Sequence, residues 1–148
     1  MCNSGTSINM ILSLKRKDIS LLKKRVHKVF PVEACAILFG EMNPNEAYVS
    51  KIYLASNRLK SNVRFEIEPE EVFKAFMEAE KEELELVGFF HSHQTYCKPS
   101  SLDLKTMKFW GNAIWLIYAS INDDMAAFQL INGKILEVSI NIEDEMTA

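Results

Sequence analysis

In two parts of this chain, residues 34–67 and 113–142, β-type runs follow one another with only turns between them. Parallel neighbours need a crossover of a dozen or more residues, so strands spaced this closely pair antiparallel when they pair in sequence order. The runs are Ala34–Phe39, Ala47–Ala55 and Val63–Ile67, then Ala113–Ile121, Met125–Ile131 and Ile135–Ile142. Asn132-Gly133 supplies a tight hairpin between the last two. Single runs at Ile8–Lys15 and Leu86–Phe90 complete the strand set. Three helical patterns interrupt them. The first is capped by Asp18, carries Ile19, Leu22, Val26 and Val29 on one face, and stops at Pro31. The second starts at Pro69 with Glu70 and Glu71 in its first turn and presents Val72, Phe73, Phe76 and Met77 as its apolar face. The third runs from Ser101 to Phe109 after Pro99. The order β-α-β-β-β-α-β-α-β-β-β excludes a doubly wound parallel sheet and predicts an α/β (α+β) domain, a mixed, largely antiparallel sheet flanked by helices.

The 148 residues suffice for one core and not for two. We therefore expect a single domain over residues 8–142, a flexible segment at 1–7 and a tail at 143–148. Seventeen basic against twenty acidic side chains leave a formal charge of −3, without the cationic excess that nucleic-acid or anionic-membrane binding requires. Cys2, Cys35 and Cys97 are too few and too scattered for a disulfide framework or a C-x-x-C zinc site. Cys35 falls in a buried run and is read as packing; Cys97 reads as an ordinary loop cysteine, and His27 as structural. Trp110, Trp115 and Phe109 are expected to fill core or an oligomer surface. The first residues lack the basic start of a signal peptide, and the longest apolar stretch, broken by Gly111-Asn112, is too short to span a bilayer. A soluble, cytoplasmic protein is the expectation.

Chemistry concentrates in one segment, His91-Ser92-His93-Gln94-Thr95-Tyr96-Cys97-Lys98-Pro99-Ser100-Ser101-Leu102-Asp103. Residues i and i+2 of a strand share a face, so His91 and His93 can converge on one ion. Ser100 and Asp103, three apart at a helix start, also share a face. Two imidazoles and a carboxylate leave a fourth tetrahedral position for water, the layout of a catalytic zinc. Each piece also has a plainer reading. The histidines can be hydrogen-bonded loop residues, and Ser100-x-x-Asp103 matches a helix capping box. The second reading is compatible with a ligand role, because a capped helix start is a rigid mount.

In this combination the sequence resembles the JAMM (MPN+) zinc metalloproteases, which include deubiquitinating isopeptidases. Their pattern is an upstream glutamate, His-x-His-Pro, six further residues, and Ser-x-x-Asp. Glu33 in Pro31-Val32-Glu33-Ala34-Cys35 matches the glutamate; His91, His93 and Asp103 match the zinc ligands; Ser100 matches the serine. Gln94 stands in place of the proline, the His93–Ser100 loop is one residue shorter, and Ala36 replaces a common glycine. The resemblance implies the JAMM/MPN (cytidine-deaminase-like) fold and one Zn2+ per chain. It implies Glu33 as general base and Ser100 as hydrogen-bond donor to the oxyanion. The bond cut would be the peptide or isopeptide bond after the C-terminal tail of ubiquitin or a ubiquitin-like small modifier or sulfur-carrier protein. That tail would be held in extended form, as a strand added to a sheet edge. The alternatives are a catalytically idle MPN-type scaffold in a protein complex and a zinc amidase acting on small molecules.

Overall fold

The computed structural model describes residues 9–62 and 65–144. Its elements in chain order are β1 (Ile11–Lys15), α1 (Arg16–Val29), β2 (Cys35–Met42), β3 (Glu46–Ala55), α2 (Pro69–Lys81), β4 (Glu85–His93), α3 (Ser101–Phe109), β5 (Ile114–Ala119), β6 (Asp124–Ile131) and β7 (Lys134–Glu143). The strands form one mixed sheet in the order β1-β3-β2-β4-β5-β6-β7, and β1 also pairs with β7, so the sheet closes into a barrel. The sequence-adjacent pairs β2·β3, β5·β6 and β6·β7 are antiparallel, as short connections require. The parallel pair β4·β5 is joined through α3. No helix among the described residues is long and apolar enough to cross a membrane.

Strand sequences show why both faces are covered. In β2, Ala36 and Leu38 pack with α1 through Ile19, Leu22 and Val26, while Ile37 and Phe39 point the other way. On that other face they meet Ala75 and Ala79 of α2 and Met107 of α3. In β5 the same alternation sends Ile114, Leu116 and Tyr118 to the first core and Trp115 and Ile117 to the second. A strand buried on both faces reads as an unbroken apolar run, which is how the sequence spells both of these. Asn132 and Gly133 both take positive φ, 50° and 78°, the geometry of a type I′ hairpin.

Several expectations are corrected. Asp18 is not the cap of α1, which begins two residues earlier with Lys15 at the N-cap, because β1 runs into the helix without a loop; Asp18 lies in its first turn. Of the strand expected over residues 63–67, Val63 and Arg64 lie outside the described residues; among Phe65–Ile67 only Ile67 pairs, in an isolated bridge to Asn57. The buried face of α2 is Ala75 and Ala79, with Val72 and Phe76 against the core. Phe73 and Met77, about 100° round the helix from that stripe, stand exposed. Phe109 is also exposed, Trp115 is fully buried, and Trp110 packs between Phe76 and Phe89. His27 is exposed on α1. Of the expected flanks, residues 1–7 and 145–148 lie outside the described residues, and Glu143, expected in the tail 143–148, is the last residue of β7.

Gly88 marks where β4 and β5 press together. A Cβ there would sit 1.8 Å from the Ile114 carbonyl oxygen, which belongs to the backbone and has nowhere to go. Gly88→Ala is expected to cost about 3 kcal/mol of stability through forced strand separation. An unchanged urea midpoint would show that the two strands can part at no cost.

Candidate metal centre

Side chains from β4, α3 and the approach to β2 meet at the C-terminal end of β4. His91 and His93, two residues apart, point to the same face as Phe89, the face on which α3 packs. Ser92 points to the opposite side, where its hydroxyl accepts from the Ala34 N–H (2.9 Å) and locks the start of β2 alongside. α3 carries Asp103 in its first turn, and Met107 one turn later anchors the helix in the core. The capping box is complete. Ser100 Oγ accepts from the Asp103 N–H (3.1 Å), and Asp103 Oδ2 accepts from the Ser100 N–H (2.8 Å). The Ser100 hydroxyl proton is not used by the cap.

The same carboxylate oxygen faces both imidazoles. Asp103 Oδ2 lies 3.1 Å from His91 Nε2 and 3.2 Å from His93 Nε2. His93 Nδ1 lies 3.2 Å from the Tyr96 carbonyl oxygen; donating there makes this nitrogen the protonated one and leaves Nε2 as a lone pair. His93 Nε2 makes no hydrogen bond, because Asp103 is near it but out of line. Glu33, two residues before β2, also reaches in, with Oε2 3.9 Å from His93 Nε2 and neither oxygen hydrogen-bonded. All four side chains are buried.

Electrostatics follow from that burial. Desolvation pushes the Glu33 carboxyl up to about 7, against the pull of His93 and with a smaller push from Asp103. Burial alone would raise Asp103, but His91, His93 and the Ser100 N–H hold it well below the usual carboxylate range. Burial lowers His91 despite Asp103 beside it. For His93, burial pulls down, but Asp103, Glu33 and the Tyr96 carbonyl together reverse it, and the net direction is up.

These residues fit a divalent cation. Donors bound at 2.0–2.1 Å in a tetrahedral zinc site are roughly 3.3 Å apart, close to the 3.1 and 3.2 Å that separate Asp103 Oδ2 from the two histidine nitrogens. Donor atoms of Glu33, His91 and His93 also lie within 4.8 Å of one another. Two carboxylates thus compete for the third ligand place, and the spacing favours Asp103, with Glu33 set back. An orphaned buried imidazole nitrogen facing two acids is otherwise a cost to the fold.

Loops wall this centre with aromatic rings. Phe65, from the β3–α2 connection, stacks on His91 at 4.7 Å between ring centroids, and Tyr96, half exposed, tilts over His93 at 4.4 Å. A groove of about 200 Å³ opens beside them, lined by Leu59, Phe65, Glu66, Leu102, Asp103, Lys105 and Thr106. The roles of Phe65 and Tyr96 were not legible in the sequence. Phe65 reads there as one residue of an alternating strand, and Tyr96 as a loop residue. Cys97 is half-buried against the second core; burial and the Asp124 and Glu137 carboxylates push its thiol up from the ordinary value, in keeping with a packing role. Cys35 is fully buried, its thiol pushed up to about 12.

The family described as prokaryotic homologues of the JAB domain matches residues 16–131. The chain belongs to that family. The JAB domain is the MPN domain, so the resemblance carried by Glu33, His91, His93, Ser100 and Asp103 is borne out at the level of the family. The chain is 46% identical over 114 residues to a desampylase of Pyrococcus furiosus, a match covering 76% of this chain and 77% of that protein. A solution structure of a Desulfitobacterium hafniense protein shares the fold, with a TM-score of 0.82 over 92% of this chain and 95% of that one at 24% identity.

An acid whose folded-state pKa is raised weakens the fold as pH climbs, from its unfolded value of 4.5 through its folded value of about 7. In the metal-free protein, Glu33→Gln is therefore expected to change nothing at pH 4 and to stabilise by on the order of 2 kcal/mol at pH 8. Urea denaturation with chelator present reads both; equal stabilities at pH 8 would mean that the buried carboxylate carries no desolvation cost.

Proposed function

We propose that this JAB-family protein is a zinc-dependent hydrolase that cuts the peptide or isopeptide bond behind the C-terminal tail of a ubiquitin-like modifier or sulfur-carrier protein. The observation that carries the reading is the convergence of His91, His93 and Asp103 beside a buried carboxylate that none of them binds. His91, His93 and Asp103 would hold one Zn2+, which when bound supplies the Lewis acidity that makes water acidic near neutral pH and polarises an amide carbonyl. Glu33, buried beside these residues with neither oxygen hydrogen-bonded, is placed both to take a proton from water and to give it to the leaving amine. Ser100 keeps a hydroxyl proton free to stabilise the oxyanion. The His93–Tyr96 contact holds the imidazole in the required tautomer.

The substrate class rests on the groove and on the relative. The groove of about 200 Å³ is below the range of pockets that enclose drug-sized ligands. It suits an extended chain with small residues next to the cut. The name desampylase, borne by the Pyrococcus relative, denotes release of a ubiquitin-like modifier. Because the sheet closes on itself, strand addition is left to segments with a single strand neighbour among the described residues, such as β3 beyond Tyr48, beside β2, and β7 before Ser139, beside β6.

The test combines metal content with cleavage of ubiquitin-like proteins fused through their C-terminal tails to a reporter. Wild type is expected to hold one zinc per chain and to lose cleavage on chelation. Glu33→Gln should keep the zinc and lose at least about 100-fold in turnover; full turnover in this variant would remove Glu33 as base. His91→Ala, His93→Ala and Asp103→Ala should each weaken zinc binding, and retention of wild-type affinity by all three would refute the site.

A further inference from the structure

Glu33 is held in an unusual way. It precedes β2, so neither its N–H nor its C=O takes part in a strand ladder. Both are instead satisfied by the connection between β3 and α2. The Glu33 N–H donates to the Ser61 carbonyl (2.7 Å), and the Glu33 carbonyl accepts from Asn57 Nδ2 (3.2 Å). The same Asn57 amide group donates to the Ser61 carbonyl (3.3 Å), while its Oδ1 accepts from the Leu59 N–H and the Glu66 N–H, both at 3.1 Å. One residue, 8% exposed, thus joins Leu59, Ser61 and Glu66 to one another and to the peptide of Glu33.

The tip of Glu33 has no comparable support, since neither carboxylate oxygen is hydrogen-bonded within the protein. Where that carboxylate stands is therefore decided by where its backbone is fixed. We infer that Asn57 is a positioning residue for the reaction, clamping the β3–α2 connection onto the Glu33 peptide and so setting the reach of the Glu33 carboxylate toward the metal centre. The inference rests on the reading of Glu33 as general base. A base must come within about 2.6–3.2 Å of the proton it moves, and a shift near 1 Å costs on the order of 100-fold in rate. The four hydrogen bonds of Asn57 described above end on Glu33, Leu59, Ser61 and Glu66; none ends on His91, His93 or Asp103. Loss of the clamp should therefore spare metal binding.

Asn57→Asp is the sharpest variant. It keeps the shape and the oxygen that accepts from Leu59 and Glu66, but it turns a second oxygen toward two carbonyls where the amide had donated. Asn57→Ala provides a second variant without that repulsion. With zinc-loaded protein and the tail-fusion substrate, we expect kcat to fall on the order of 100-fold with KM within about twofold. Zinc content and the absorption spectrum of the cobalt-substituted protein should match wild type. Amide exchange at Glu33 should accelerate in both variants and at Glu66 in Asn57→Ala, while exchange within β4 and β5 stays slow. A folded variant with wild-type kcat, a rise in KM at unchanged kcat, or a kcat loss that tracks lost metal would overturn the assignment. If wild type cleaves no fusion, it is the hydrolase reading that fails. The clamp is then judged by exchange at Glu33 in the metal-free protein, where protection equal to wild type in both variants overturns it.

Discussion

One carboxylate oxygen, Oδ2 of Asp103, is shared between a helix end and two imidazoles. It accepts the Ser100 N–H that would otherwise be an orphan at the start of α3, and it faces His91 and His93 at 3.1 and 3.2 Å. The helix therefore cannot be capped in this way without also delivering a negative charge to the strand end. Met107, one turn on and fully buried, keeps the helix from rotating that charge away. Moving α3 by even part of a turn would lose the cap and leave two buried imidazoles without a counter-charge, so fold and centre are held by the same contacts.

The sheet provides the rest of the frame. β4 lies between an antiparallel neighbour, β2, and a parallel one, β5, and α3 makes the crossover to β5. The centre forms where β4 ends and the chain departs for α3, a position that places side chains from β4, α3 and the approach to β2 around one point. Gly88, pressed against the Ile114 carbonyl, keeps β4 and β5 close enough for that crossover to hold α3 on the sheet. Burial also sets the electrostatics of this region, because desolvation is the largest influence lifting Glu33 toward neutrality.

Some of this was legible from residues alone because it is local. α3 begins at Ser101 and ends at Phe109 as expected, since Pro99, Ser100 and Asp103 write a stop, a cap and its reciprocal partner within five residues. The His91–His93 pair shares a face because a strand repeats every two residues. What was misread depends on distant partners. The alternation over residues 63–67 resembles a strand, yet among its described residues only Ile67 makes a bridge, and Phe65 covers His91 instead. The large apolar residues Phe73 and Met77 suggest a core face for α2, but the close approach of helix to sheet selects Ala75 and Ala79.

The sequence by itself determined the element order, the mixed sheet, the family and the residues from which a metal centre can be made, because each is spelled by period, spacing or capping within a few residues. Only the tertiary structure decided that the sheet closes, that one oxygen of Asp103 faces both histidines at 3.1 and 3.2 Å, and that Asn57 fastens Glu33 from 24 residues away. Those outcomes are set by which buried polar groups find each other across the fold. Such pairings depend on burial and on angles between elements, which no local pattern records.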